Sequence, residues 1–314
     1  MTSYRLFAGL LNSELDFPEL SAVEGETADW TLEIGRSTRS ELGEPLGEDV
    51  VYGDCRVRCY RAPDAGFSLE YDDTGRFDIS PDGRRIVWVR PESVVEDAAR
   101  ADVASRVLSL AMHAAGTFTL HASAVSLHGA GLAFVAPKYH GKSTLAAALV
   151  QHGAKLLTDD TLPVRLDPVP LLLPGVQQLR LWGDAAARIS GAEPADPSRK
   201  VVMTELVEQR VEAAAVPFTA AYVLVPIARD DANEIVRRER LPAVAGTMAL
   251  VQHARLAPLF RRREAGTLFT QAAAVADRVP VYALFVQRHL ERLDDVVEQI
   301  VAWHPPVRRQ DAAT

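Results

Sequence analysis

The sequence predicts an α/β fold in its carboxy-terminal part and a β-rich amino-terminal region, on three observations. Residues 1 to about 90 hold short runs in which apolar and polar side chains alternate, as half-buried strands require. Beyond Gly116, apolar strand-like runs alternate with helical patterns, the order that builds an α/β layer. Between two of those elements stands a Gly-Lys-Ser loop, which needs a strand before it and a helix after it.

Composition narrows the function classes. The 314 residues are 48% hydrophobic and 24% charged, which excludes general disorder, and the length allows one large or two moderate domains. With 34 Lys and Arg against 42 Asp and Glu, the net charge of -8 leaves no basic excess to displace counterions from a nucleic acid, so no nucleic-acid partner is expected. Cys55 and Cys59 form a lone CxxxC pair, too few ligands for a zinc site without distant histidines; they read as reduced thiols or as a local redox pair. The opening segment has only Arg5 ahead of a short apolar run, with Glu14 and Asp16 close behind, and fits neither a signal nor a transit peptide. No run approaches the roughly 20 apolar residues of a spanning helix. A cytoplasmic protein with no membrane partner is expected.

Taken in order, strands are expected at 29–34, 55–60 and 85–89, and the turns Asp73-Thr74-Gly75 and Pro81-Asp82-Gly83 make Phe67 to Arg90 a three-stranded meander. Residues 1–92 are read as a β-rich domain. From Pro91 the apolar positions change to helical spacing, so residues 93–116 are read as a linking helix. Residues 117–305 form the α/β domain, with strands at 132–135, 156–158, 222–225 and 279–285. Its helices are a strong one at 143–151 and a final one with Leu290, Leu293, Val296, Val297, Ile300 and Val301 on one face. The stretches 41–54 and 191–199 read as mobile loops, and residues 306–314 as a flexible tail.

The strongest chemical signal is Ala136-Pro137-Lys138-Tyr139-His140-Gly141-Lys142-Ser143-Thr144, a match to the phosphate-loop pattern with alanine in the first small position. A loop closing onto a helix start directs backbone N–H groups and the positive end of the helix dipole at one point, where a polyphosphate can replace water. Gly141 permits close approach of the backbone, Lys142 brings a flexible cation to terminal phosphates, and the Ser143 hydroxyl can ligate magnesium. Lys138, Tyr139 and His140 either touch nucleotide or fill an exposed loop. About 17 residues past Lys142 an apolar strand runs into Asp159-Asp160. There one carboxylate can hold Mg2+ and its neighbour can orient or deprotonate an attacking hydroxyl.

With His121 upstream, these residues resemble the catalytic domain of the HPr kinase/phosphorylase family, whose P-loop fold is related to phosphoenolpyruvate carboxykinase. The likeness rests on His121-Ala122-Ser123-Ala124-Val125, Gly129 to Phe134, the GKS loop, Leu149 to Gly153 and Leu156 to Asp160, in the family's order and spacing. It implies an ATP-dependent serine kinase: Asp159 as base, Ser143 and Asp160 on the metal side, and His121 tuning the base, with the two aspartates interchangeable at this stage. A hydrogen-bonded core histidine before the central strand is the alternative for His121. The family being hexameric, a homo-oligomer is implied.

The departures matter too. Thr144 stands where HPr kinases carry glutamate, and Pro174-Gly175-Val176-Gln177-Gln178-Leu179-Arg180-Leu181-Trp182 replaces their glycine-rich signature. That segment is similar to HPr-kinase-like kinases outside sugar regulation, including those of lasso-peptide clusters. The expected acceptor is therefore a peptide, protein or small-molecule hydroxyl other than HPr. Arg180 pairs with phosphate or, alternatively, forms an ion pair covering Trp182. Lys200 brings a cation to the transferring oxygens or is a solvated loop lysine. The Arg261-Arg262-Arg263 run reads as a solvated helix face. Phosphorolysis, a carboxykinase-like exchange, and a non-catalytic nucleotide sensor are the competing readings.

Overall fold

Alternating side chains build one nine-stranded sheet at the amino terminus. Its strands are β1 Thr2–Leu6, β2 Gly9–Ser13, β3 Ala22–Val23, β4 Trp30–Ile34, β5 Glu44–Tyr52, β6 Cys55–Arg61, β7 Phe67–Tyr71, β8 Gly75–Ile79 and β9 Arg85–Val89. The order across the sheet is β3-β1-β2-β4-β9-β8-β7-β6-β5, with β2, β4 and β9 parallel and the other pairings antiparallel. The structure, a computed structural model, describes the chain apart from residues 25–26, 37–38, 40, 192–195, 197–198, 209, 228–234, 262, 288 and 307–314 and the Tyr52 side chain. Most of the 191–199 stretch, Arg262 and nearly all of the expected tail thus lie outside the described residues.

Leu32, Val57, Leu69, Phe77, Ile86 and Trp88 are fully buried. Phe77 stacks on Trp88 with ring centroids 5.8 Å apart, and the indole N–H donates to the Thr74 carbonyl at 2.8 Å. The expected meander is β7-β8-β9.

Two expectations are corrected here. Residues 41–54 contain the strand β5 rather than a loop. As an edge strand β5 tolerates Pro45 and its acidic residues, and Arg56 and Arg106 pair with Glu48 and Asp49. The redox pairing of Cys55 and Cys59 fails on distance, because four residues along one strand separate them by about 13 Å. Burial pushes the Cys59 thiol up to about 12.

The helical pattern after Pro91 gives α1 Glu96–Asp102 and α2 Leu108–Ala114, joined by a π-helical turn at Val103–Val107. The chain then divides into two compact units, one of residues 1–120 with 254–272 and one of residues 121–253 with the chain from Ala273 onward.

The remaining elements are β10 Phe118–Leu127, β11 Ala130–Val135, α3 Lys142–Gln151, β12 Lys155–Thr158, β13 Thr161–Arg165, β14 Leu171–Leu172, β15 Arg180–Trp182, α4 Gly183–Ser190, β16 Lys200–Val202, α5 Thr204–Val207, β17 Val216–Ile227, β18 Val236–Arg240, α6 Ala243–Gln252, α7 Arg263–Arg278, β19 Val281–Gln287 and α8 Leu293–Trp303. Strand β11 lies between antiparallel β10 and parallel β17; β19 continues in parallel, and β18 closes that edge antiparallel. On the other side β12 pairs with β10, and β15 and β16 form a small separate ribbon.

From Leu145 to Val150 every residue of α3 is buried, so this helix runs within the core instead of presenting one apolar stripe. It packs against α4, α5 and α8. Phe134 of β11 is fully buried and stacks on Tyr222 of β17 at 5.6 Å. This packing fixes the strand end from which the loop at 136–141 departs. No helix among the described residues is long and apolar enough to cross a membrane.

Phe134→Ala should cost about 3 to 5 kcal/mol, read as a lowered urea midpoint. A cost below about 1 kcal/mol would show that the β11–β17 packing does not hold this unit together.

Candidate active site

Strand β11 ends inside the core, and Ala136, fully buried, follows it. Pro137, Lys138 and Tyr139 are exposed, and the chain turns into α3 through Gly141, whose φ of 85° is left-handed. A Cβ at Gly141 would meet nothing within 4 Å, so the requirement for glycine there is conformational. The Leu145 N–H donates to the Gly141 carbonyl at 2.9 Å and starts the helix, so the preceding N–H groups lie outside its ladder. Lys142 is 8% exposed and folds back over the loop, donating to the carbonyls of Ala136 at 2.8 Å and Pro137 at 3.2 Å. Ser143 and Thr144 follow, partly buried, in the first helical turn.

Asp159 and Asp160 leave the tip of β12. The Asp159 carboxylate accepts from the Ser123 hydroxyl of β10 at 2.5 Å, and the Ser143 hydroxyl and the Arg180 backbone N–H lie near enough to lower its carboxyl. Burial pushes its carboxyl up to about 6; the three donors pull it down, and the charge of Asp160 adds to the rise. Asp160 is oriented differently. Its carboxylate lies 3.2 Å from Nδ1 of His121 and accepts from Thr161 at 3.3 Å, while its main-chain carbonyl accepts from the Ala122 N–H at 3.1 Å. His121 is partly exposed and its ring is held by Asp160, which both readings of it allow. The Ser143 hydroxyl acts on Asp159, so the hydroxyl expected on the metal side neighbours the aspartate expected as base.

Pro174-Gly175 packs against this acidic turn. A Cβ on Gly175 would lie 2.4 Å from Thr158 Oγ1 and 2.6 Å from the Thr161 carbonyl oxygen, and its N–H donates to Leu157 at 2.9 Å. That close approach explains a glycine here and brings β15 to Asp159. The guanidinium of Arg180 is exposed, its Nε donating to Gln178 at 2.9 Å, so neither the ion pair over Trp182 nor a contact with the aspartates is formed. Lys200, across the ribbon, lies 5.4 Å from the Trp182 ring centre, and Tyr139 of the loop stacks on the same ring at 5.7 Å. Nδ1 of His140 is 2.9 Å from the Lys138 carbonyl oxygen, closing the loop tip.

The site also gathers residues whose roles the sequence analysis did not assign. Ser123 is legible in retrospect, since it stands two positions from His121 on one strand and hence on the same face. His253, directly after α6, has no local signal. It is 8% exposed, its carbonyl accepts the His121 N–H at 2.8 Å, and burial together with the charges of Lys142, His121 and His140 holds its imidazole down to about 4.

No family model matches this sequence, and no curated protein matches it. Among solved structures the chain is similar to the structure of the Hpr(Ser) kinase/phosphatase from Coxiella burnetii, with a TM-score of 0.34 and 16% sequence identity over 59% of this chain and 95% of that one.

Among the described residues, no group of three or more His, Cys, Asp or Glu side chains forms a metal cage. The donors at the loop are hard oxygens, the Ser143 hydroxyl and the Asp159 and Asp160 carboxylates. Such a set fits Mg2+, which takes one or two protein oxygens and completes its shell with phosphate and water.

The raised Asp159 carboxyl has a stability consequence. Between about pH 4 and about 6 the folded chain holds a proton that the unfolded chain has released, so this group's contribution falls as pH rises through that window. Asp159→Asn should therefore gain stability on the order of 1 to 3 kcal/mol at pH 7.5 and little or nothing at pH 4. Urea unfolding at both values checks this, and a variant weaker than wild type at pH 7.5 would contradict it.

Proposed function

We propose that this protein is an ATP-dependent, Mg2+-assisted phosphotransferase that moves the γ-phosphoryl group to a hydroxyl, of the Ser or Thr class in a peptide or protein. The observation that carries this reading is the place of Asp159 at the tip of β12, its carboxylate held by Ser123 at 2.5 Å and near enough to the Ser143 hydroxyl, in the first turn of the helix that opens the phosphate-type loop, for that hydroxyl to lower its carboxyl. It brings a polyphosphate cradle and a candidate base to one point.

In this reading the loop N–H groups and Lys142 hold the β and γ phosphates. Lys142 exchanges the carbonyls of Ala136 and Pro137 for phosphate oxygens. Asp159, near 6, is poised to accept the proton of an incoming hydroxyl at neutral pH. Asp160 and Ser143 supply oxygens to the metal, which would neutralise charge on the phosphates. His121 positions Asp160, and Arg180 acts through its backbone N–H by aiming Asp159. Lys200, Trp182 and Tyr139 flank the phosphate loop, where an acceptor approaches. The satisfied state of Lys142 also suits a second reading, a nucleotide sensor that binds without transfer.

Incubation with γ-labelled ATP, Mg2+ and Ser- or Thr-containing products encoded beside this gene separates the two. Wild type should label one acceptor, with a rate that rises as pH passes through about 6. Asp159→Asn should bind nucleotide normally and lose about 100- to 10,000-fold in transfer, whereas Lys142→Ala should lose nucleotide affinity. Undiminished transfer in both variants would overturn the site, and nucleotide binding without transfer to any acceptor would support the sensor.

A further inference from the structure

The ribbon of β15 and β16 pairs Leu181 with Val201, and both of these side chains face the core: Leu181 is buried, and Val201 packs against the same apolar cluster. Side chains alternate along a strand, so the pairs on either side, Arg180 with Val202 and Trp182 with Lys200, lie on the opposite, outward face. There Arg180 and Lys200 are exposed, and Val202 is 44% exposed. Lys200 Nζ stands 5.4 Å from the centre of the Trp182 ring. Tyr139 of the phosphate loop joins this face, its ring stacked on Trp182 at 5.7 Å. Its backbone is left-handed, with a φ of 67°, and the residue is 67% exposed. The loop thus holds a costly conformation and leaves most of an aromatic ring in water, an arrangement that suits contact with a partner better than packing. The two strands of the ribbon carry two cations and no acid, on a chain whose net charge is -8. A basic face on an acidic chain favours an acidic partner and disfavours a second copy of the chain.

We propose that this face docks the acceptor, a peptide segment with carboxylate side chains flanking the hydroxyl to be phosphorylated. Its carboxylates lie on Arg180 and Lys200, and its apolar side chains on Tyr139, Trp182 and Val202. The surface is open, as a chain that arrives and leaves in every turnover requires, and Tyr139 makes it continuous with the loop that would hold the phosphates. No bond is made or broken by these side chains; they decide which hydroxyl is presented. This rests on the kinase reading above and narrows its acceptor to an acidic segment.

The test is fluorescence anisotropy with the full chain, Mg2+ and a saturating non-hydrolysable ATP analogue. Two labelled peptides are compared, each with one Ser and the same Leu and Ala residues, one carrying Glu and the other Gln around them. Wild type should bind the Glu peptide about tenfold more tightly at low salt, and the difference should vanish near 1 M salt. The double variant Arg180→Glu, Lys200→Glu, its fold checked by circular dichroism, should lose the preference for Glu, with its affinity for the analogue, measured by calorimetry, unchanged. Tyr139→Ala should weaken both peptides alike, about fivefold. Equal binding of the two peptides by wild type, binding of neither, a preference kept in the double variant, or unchanged binding by Tyr139→Ala would each overturn the proposal. So would loss of analogue affinity in the double variant, since the face would then serve the nucleotide. If wild type binds the analogue without discriminating between the peptides, only the docking face falls. If it binds no analogue, the kinase reading falls and takes this one with it.

Discussion

A partly desolvated carboxylate needs donors, and three different elements bring them towards Asp159. Ser123 of β10 bonds to it at 2.5 Å, while Ser143 from the first turn of α3 and the Arg180 N–H from the start of β15 lie near enough to lower its carboxyl. The strand layer, the loop-bearing helix and the small ribbon thus converge on one atom group. Desolvation nevertheless wins over the donors and leaves the carboxyl near 6. The site therefore stores a group that would be more comfortable protonated, a property suited to taking a proton from a hydroxyl and poorly suited to stability alone.

Opposite that acid lies the cationic half of the site. The left-handed turn at Gly141 lets α3 begin at the edge of the core with its first N–H groups directed outward, and Lys142 adds a full charge that the carbonyls of Ala136 and Pro137 currently share. The charges of Lys142, His121 and His140 add to burial in holding the His253 imidazole down to about 4. In the proposed reading this separation of charge serves an anion on one side and an acceptor hydroxyl on the other.

Local features of this arrangement were legible in the sequence because they are local in the chain. The loop spacing, the apolar run before it, the helix after it and the acidic pair at the next strand tip all depend on neighbours within a few residues. What depends on distant pairing was not legible. β11 finds its parallel neighbour in β17, more than 80 positions on, with Phe134 opposite Tyr222, and His253 reaches His121 through a main-chain bond across the chain. The acidic, glycine-containing stretch of β5 hid an edge strand, whose Glu48 and Asp49 pair with the distant Arg56 and Arg106. Arg180 is instructive for a different reason. The sequence drew attention to its guanidinium, while the group that lowers the Asp159 carboxyl is its backbone N–H, which every residue except proline owns.

The most direct examination of this account is a crystal structure of the chain with Mg2+ and a non-hydrolysable ATP analogue. The account predicts the triphosphate on the loop between Ala136 and Ser143, with Lys142 Nζ moved from the two carbonyls onto phosphate oxygens and the Asp159 carboxylate facing the terminal phosphate. A nucleotide bound elsewhere, or Lys142 still bonded to Ala136 and Pro137 beside an occupied site, would contradict it.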